Sequence, residues 1–247
     1  MQAAALFTGM AGLQAIDANM QAVTANLANQ QTPGYAAVQA LAEAANYQGG
    51  NAPVGADAVA LTPGPSLAQG GLYHTGDPMN VALGGNAWLE VQTQSGPALT
   101  RDGSLVLSSA GILTDTAGNP VLGTTGQPIS LPALAKLQIG TDGTLSGVAA
   151  ATPGGPSRNY GQINLVATPA GGLTPLSGTL YSPAPGAALN AAPDGSLHQG
   201  YLNGSNVDAT QSMMQIIADS RSYQLQTELM KTQAGADASL NLLVSQG

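Results

Sequence analysis

The chain has 247 residues, of which 5 are basic and 13 acidic, giving a net charge of −8 and a charged fraction of 7%, where about 25% is ordinary for a soluble domain. The acid excess excludes a nucleic-acid binder on electrostatic grounds, and the lack of cysteine excludes a disulfide framework, a thiol nucleophile and a zinc cluster. No basic segment precedes an apolar run and no stretch reaches the roughly 18 apolar residues of a membrane span, so neither a cleavable secretory signal nor a transmembrane helix is expected.

Residues 1–35 predict a long amphipathic helix. Leu6, Met10, Leu13, Ile16, Met20, Val23 and Leu27 recur at separations of 4, 3, 3, 4, 3 and 4, which holds them on one helical stripe. The remaining positions carry one charge, Asp17, and eight Asn or Gln. Side-chain amides and small residues allow close approach without the desolvation cost of a buried ion, so this face reads as a second contact surface. A single intramolecular helix pair on a monomer is the simpler alternative. Pro33 disfavours helix at Thr32, and Gly34 can take a positive φ, so the helix is expected to stop near Asn29 to Gln31.

Residues 36–70 have few large apolar side chains and read as an extended connection. From 71 to 204, short β-prone runs at Val81–Leu83, Trp88–Gln92, Ser104–Leu107, Pro120–Leu122, Lys136–Ile139 and Gln162–Val166 alternate with turn signals, which predicts an all-β domain. Asp102-Gly103-Ser104, Asp142-Gly143-Thr144 and Asp194-Gly195-Ser196 echo one another at unequal spacings, as recurrent turns do and solenoid repeats do not. His74 and His198 lack an acidic or second histidine neighbour at metal-ligand spacing, and no nucleophile elbow or phosphate loop occurs. No enzyme, metal or cofactor is therefore expected.

Residues 205–247 predict the second long helix. Leu225, Leu229, Ala236, Leu240 and Leu243 form its stripe. Ser205 or Asn206 is placed to cap its first turn, and Asp208 to complement its dipole.

Ala25-Asn26-Leu27-Ala28-Asn29 followed by Thr32-Pro33-Gly34-Tyr35 resembles the N-terminal signature of flagellar axial proteins, the rod and hook subunits of the bacterial flagellum. Gly204-Ser205-Asn206-Val207-Asp208, Met213 to Ile217 and Arg221-Ser222-Tyr223 resemble the family's C-terminal signature. Thr75 to Leu83, Leu99 to Ser104 and Gly118 to Gly123 follow its central pattern in order. Ala87-Trp88-Leu89-Glu90-Val91-Gln92 is similar to the proximal-rod branch, where distal-rod subunits place paired aromatics. Two positions depart from the pattern: Ala87 stands where Gly is common, and Tyr35-Ala36-Ala37 lacks a basic residue.

The resemblance implies an α+β fold in which N- and C-terminal helices form a coiled-coil-like domain beside a central, mainly antiparallel all-β domain. The expected domains are 1–35, a connection over 36–70, the β domain over 71–204, and 205–247 pairing with 1–35. It implies a structural subunit of the proximal rod, assembling through the two stripes and through Asn26, Asn29, Thr32, Pro33, Gly34, Tyr35, Ser205, Asn206, Val207, Asp208, Ile217, Arg221 and Tyr223. The implied partners are copies of itself, other rod subunits and the type III export apparatus. The implied location is the basal body, crossing the periplasm, reached without a cleaved signal peptide. A distal-rod or other axial subunit is the near alternative, and a secreted carbohydrate- or peptidoglycan-binding β module the distant one.

Overall fold

The computed structural model describes residues 2–44, 59–169 and 172–245, with side chains described over 9–39, 64–169, 172–232 and at 235. Two compact units emerge. One comprises Met1–Ala28, Val38–Pro63 and Asp208–Gly247; the other comprises Asn29–Ala37 and Gly64–Val207.

The first unit holds helix α1 (Gln2–Ala28), strands β1 (Val38–Ala44) and β2 (Val59–Pro65), which pair with each other, and helix α2 (Ala209–Ser245). α1 is rich in Ala and interrupted only by Gly9 and Gly12. Those glycines bring α2 close: a Cβ at Gly9 would lie 3.4 Å from Met230 Cγ, and one at Gly12 would lie 3.5 Å from Gln226 Nε2. Farther along, Asn19 Nδ2 donates to Asp219 Oδ2 at 2.8 Å, and Gln215 Nε2 donates to Asp219 Oδ1 at 2.9 Å. Near the end of α1, buried Asn26 donates to the Val38 carbonyl at 2.8 Å and accepts from the Val38 amide at 2.7 Å. One side-chain amide thereby mimics a strand partner for the first residue of β1.

The second unit carries fourteen strands. In order they are β3 (Leu72–His74), β4 (Val81–Gly84), β5 (Ala87–Thr93), β6 (Gly96–Thr100), β7 (Val106–Leu107), β8 (Leu113–Thr114) and β9 (Leu134–Ile139). They continue with β10 (Thr144–Ala149), β11 (Arg158–Gln162), β12 (Leu165–Ala167), β13 (Leu173–Ser177), β14 (Leu180–Pro183), β15 (Ser196–Gln199) and β16 (Tyr201–Asn203). The largest sheet runs β12-β5-β6-β14-β13, and a three-stranded sheet runs β11-β10-β9. The pairs β15-β4, β16-β3 and β7-β8 complete the set, all antiparallel.

β5 shows why its apolar run is continuous. Side chains alternate across a strand; Ala87, Leu89 and Val91 enter one core with Val81, Leu113, Leu145 and Leu197, while Trp88 enters another with Leu99, Val166, Leu173 and Tyr181. Both faces are covered at residues 87–89, which makes that run continuously apolar, and farther along the Trp88 face turns polar at half-buried Glu90 and exposed Gln92. The expected run at 162–166 divides instead. β11 ends at Gln162 and β12 begins at Leu165, because the Ile163 amide bonds to Gly143 O and the Asn164 amide to Leu122 O. At the Asp102 and Asp142 turns, each carboxylate accepts the amide two residues on, Ser104 N at 2.9 Å and Thr144 N at 3.0 Å, as Asx turns do.

The expected fold class is overturned. Among the described residues there are two helices against sixteen strands in antiparallel sheets, so the chain is mainly β and its ends do not form a coiled-coil-like domain. A coiled coil buries one stripe of large apolar side chains in facing holes. Here Leu225 and Leu229 are 67% and 64% exposed and Met10 is 51% exposed, while glycine and side-chain amides occupy the faces where the helices approach. Periodicity within one helix does not say which way its apolar residues face.

Candidate functional site

The β unit gathers both ends of its chain at one place. α1 stops at Ala28, Pro33 follows, and Gly34 sits at φ +67°. A Cβ there would stand 2.3 Å from the Arg101 carbonyl carbon and the Asp102 amide nitrogen, closer than any contact allows, so only glycine fits this approach. From the other end of the chain, Asn203 O accepts the Gly34 amide at 2.8 Å, and Asn206 N donates to Tyr35 O at 3.3 Å. Asn206 Oδ1 accepts the Ala37 amide at 2.6 Å, and its Nδ2 donates to Ala68 O at 2.7 Å and Ser66 O at 3.4 Å. Ser66 N in turn donates to Ala37 O at 2.7 Å.

Beneath this junction lies a stack. The Arg101 guanidinium, 5% exposed, sits 4.3 Å from the centre of the Trp88 ring, and Trp88 meets Tyr181 edge-on at 5.3 Å. Trp88 Nε1 donates to Thr168 Oγ1 at 3.0 Å, and the Tyr181 hydroxyl donates to Ala36 O at 2.6 Å. Arg101 Nη1 donates to Leu67 O at 3.0 Å and Ala68 O at 3.4 Å, whereas Nε and Nη2 are buried without a hydrogen-bond partner. The indole face supplies the attraction that a carboxylate would otherwise give.

Burial sets the electrostatics. It lowers the Arg101 pKa and raises those of Asp102 and Tyr181, the latter far above the ordinary phenol range. It also raises Tyr35, against a smaller opposing effect of its hydrogen bond with Asn29. Desolvation by burial is the largest cause at each of these four groups. Among the described residues no cluster of His, Asp and Glu could hold a metal ion. An open pocket elsewhere in this unit, bordered by Gln69, Gly85, Asn86, Pro193 and Asp194, offers one carboxylate and no nucleophile.

The residues named from sequence fall into three groups. Thr32, Pro33, Gly34, Tyr35, Asn29, Ser205, Asn206 and Val207 are brought together in the β unit. On α1, Leu13, Ile16, Met20, Val23 and Leu27 are half-buried, Asn26 is buried and Met10 exposed. On α2, Ile217, Arg221, Tyr223, Leu225 and Leu229 are exposed. The side chains of Leu6, Leu240 and Leu243 lie outside the described residues. Asp208, rather than Ser205 or Asn206, caps α2: its Oδ1 accepts Thr210 N at 2.9 Å and Gln211 N at 3.0 Å. Sequence reasoning missed Arg101, Tyr181 and the carbonyls of 66–68. The signal for Arg101 was present, since it is one of only five basic residues and stands inside the Leu99 to Ser104 pattern.

Comparison with known proteins bears on this arrangement directly. Residues 82–147 match the family model described as the flagellar hook protein FlgE/F/G D1 domain, and residues 198–243 match the flagellar basal body rod FlgEFG protein C-terminal model. The flagellar basal-body rod protein FlgF of Escherichia coli K12 is 34% identical, over 92% of this chain and 93% of the relative. FlgF of Salmonella typhimurium LT2 is 32% identical over 98% of each. The flagellar basal-body rod protein FlgG of Buchnera aphidicola subsp. Schizaphis graminum is 29% identical, over 92% of this chain and 94% of the relative.

Proposed function

The chain belongs to the FlgF family of flagellar basal-body rod proteins, a structural subunit of the proximal rod and not an enzyme, and from that premise we propose that it assembles through the outward face of α2. Met214, Ile217, Leu225 and Leu229 follow one another at 3, 8 and 4 residues, which puts them on one side of the helix. Ser212, Asp219, Gln226 and Met230, at 7, 7 and 4, lie on the opposite side, toward α1. Apart from Met230, the residues turned inward here are small or polar, while Met214, Ile217, Leu225 and Leu229 are exposed.

Covering four such side chains is worth about 1.5–3 kcal/mol each, while association costs about 4–15 kcal/mol. A single contact of this kind is marginal. A lattice in which each copy touches several neighbours is not, and open heterologous contacts build such filaments. The neighbours are copies of this chain and other rod or hook subunits. Met10, Gln14, Asp17 and Gln21 on the exposed side of α1 supply a more polar second surface, and the half-buried Leu13 to Leu27 stripe and, separately, the residues of the junction belong to the same reading. Delivery by the flagellar export apparatus, a position across the periplasm and the carriage of motor torque belong to the same reading, which rests on family membership.

Leu225→Asp tests the α2 face. Because Leu225 is exposed, the purified variant is expected to keep the wild-type circular dichroism and melting behaviour, a surface change being worth within about 0.5 kcal/mol. Basal bodies from the mutant strain should lack the protein. Normal amounts in those basal bodies would rule the stripe out as an assembly surface.

A further inference from the structure

We infer that Asn206 is a positioning residue, whose side-chain amide clamps residues 37, 66 and 68 together and so fixes where the chain enters and leaves the β unit. This rests on the assembly reading only for its consequence in the rod; the clamp itself is a property of the single chain.

The chain passes between the two units at four places: after Ala28, Ala37, Pro63 and Val207. Three of these passages begin or end within about three residues of a group bonded to the Asn206 amide. Ala37 N is held by Oδ1, while Ser66 O and Ala68 O are held by Nδ2, and Asn206 itself lies just before Asp208. The fourth passage opens the turn whose Gly34 amide is taken by Asn203 O. A side chain that must accept on one side and donate twice on the other can only be a primary amide. Asp offers acceptors alone, Leu offers neither, and Gln places the amide one methylene farther away. Arg101 reinforces the same strand of contacts by donating to Leu67 O and Ala68 O. It does not touch Ala37, whereas the Asn206 amide bonds Ala37 N at the second passage and the carbonyls of 66 and 68 beyond the third, beside the backbone bond from Ser66 N to Ala37 O.

The test uses the full-length protein and its Asn206→Leu and Asn206→Asp variants, read by residue-resolved amide hydrogen exchange. In Asn206→Leu the Ala37 amide should exchange at least about tenfold faster, the scale of one lost buried hydrogen bond, while the β5 amides keep wild-type protection. In Asn206→Asp the Ala37 amide should stay protected, because its acceptor remains, and the Ser66 amide should exchange faster as the carboxylate repels the carbonyls of 66 and 68. Wild-type protection at Ala37 in the Leu variant overturns the clamp. Should the Leu variant unfold throughout, shown by loss of β5 protection, the Asp variant decides: unchanged exchange at Ser66 overturns it. In the rod, the Leu variant should be exported normally and incorporated several-fold less. Normal incorporation together with fast exchange at Ala37 would leave the clamp standing and sever it from assembly.

Discussion

The two units bury their apolar residues to different extents. In the β unit Trp88, Leu89, Leu99, Leu113 and Tyr181 have no exposure at all, and β5 is covered on both faces at residues 87–89. In the helical unit the large apolar residues of α2 face outward, while Asn19, Gln215 and Asp219 hydrogen-bond within. The β unit has its own buried cores, although Leu72, Val106 and Leu176 on its surface are exposed. In the helical unit the described contacts between the helices include a polar network and close glycine packing. An isolated helix of this kind is marginal in water, because nucleation is costly.

That contrast can be broken most directly in the β unit. Trp88→Ala removes the ring shared by Arg101 and Tyr181, and is expected to cost about 3–5 kcal/mol, read as a drop in the denaturant midpoint of the β transition. Helical signal should be affected far less. If both fall together, the units are not energetically separate. Next in size, Gly34→Val forces a β-branched residue into a positive φ at about 1–3 kcal/mol and into the backbone of Arg101 and Asp102. The expected outcome is loss of motility with export intact; full motility would mean the turn relaxes at no cost.

Smaller effects sharpen the comparison from the helical side. Asp208→Ala strips the cap from α2 and should remove about 1 kcal/mol, seen as reduced helicity in circular dichroism with the β transition unmoved. The smallest expected effect is a pH slope. Burial holds Asp102 above the ordinary carboxylate range, so folding favours its neutral form. Its contribution is present below the unfolded value near 4 and is lost as pH rises through the raised folded value. Stability of the β unit should therefore decline across that interval in the wild type. Asp102→Asn, which stays neutral and keeps an acceptor for the Ser104 amide, should flatten the slope; an unchanged slope would assign it to another group.

Much of the β unit is visible in the sequence because its signals are local. Val81 to Leu83 and Trp88 to Gln92 announce themselves by β-branched and aromatic content, and the Asp-Gly turns by their Asx geometry. Ile163 does not, since the break there is made by bonds from Ile163 and Asn164 to Gly143 and Leu122, distant in the chain. The coiled-coil expectation failed for a related reason. A heptad-like stripe is a statement about one helix, whereas the choice of face is settled by what the neighbouring helix offers, here Gly9, Gly12 and Asn19. The junction was half legible: Thr32 to Tyr35 and Ser205 to Asp208 stand out as motifs. Their meeting through Asn206, and the Arg101 stack beneath them, depend on pairings between distant residues, Ala37 and Asn206 being 169 apart.

That separation also sets an order in time. Whichever end of the chain emerges first from a ribosome or a channel, the turn at Gly34 must wait for Asn203 and Asn206 before its amides are satisfied, and the Ala36 carbonyl must wait for Tyr181, 145 residues along. Closing a loop of that length is entropically slow and is repaid only at the end. The joining of the two ends of the β unit therefore depends on long-range pairing, and a chain interrupted before residue 203 would leave the Gly34 amide without its acceptor.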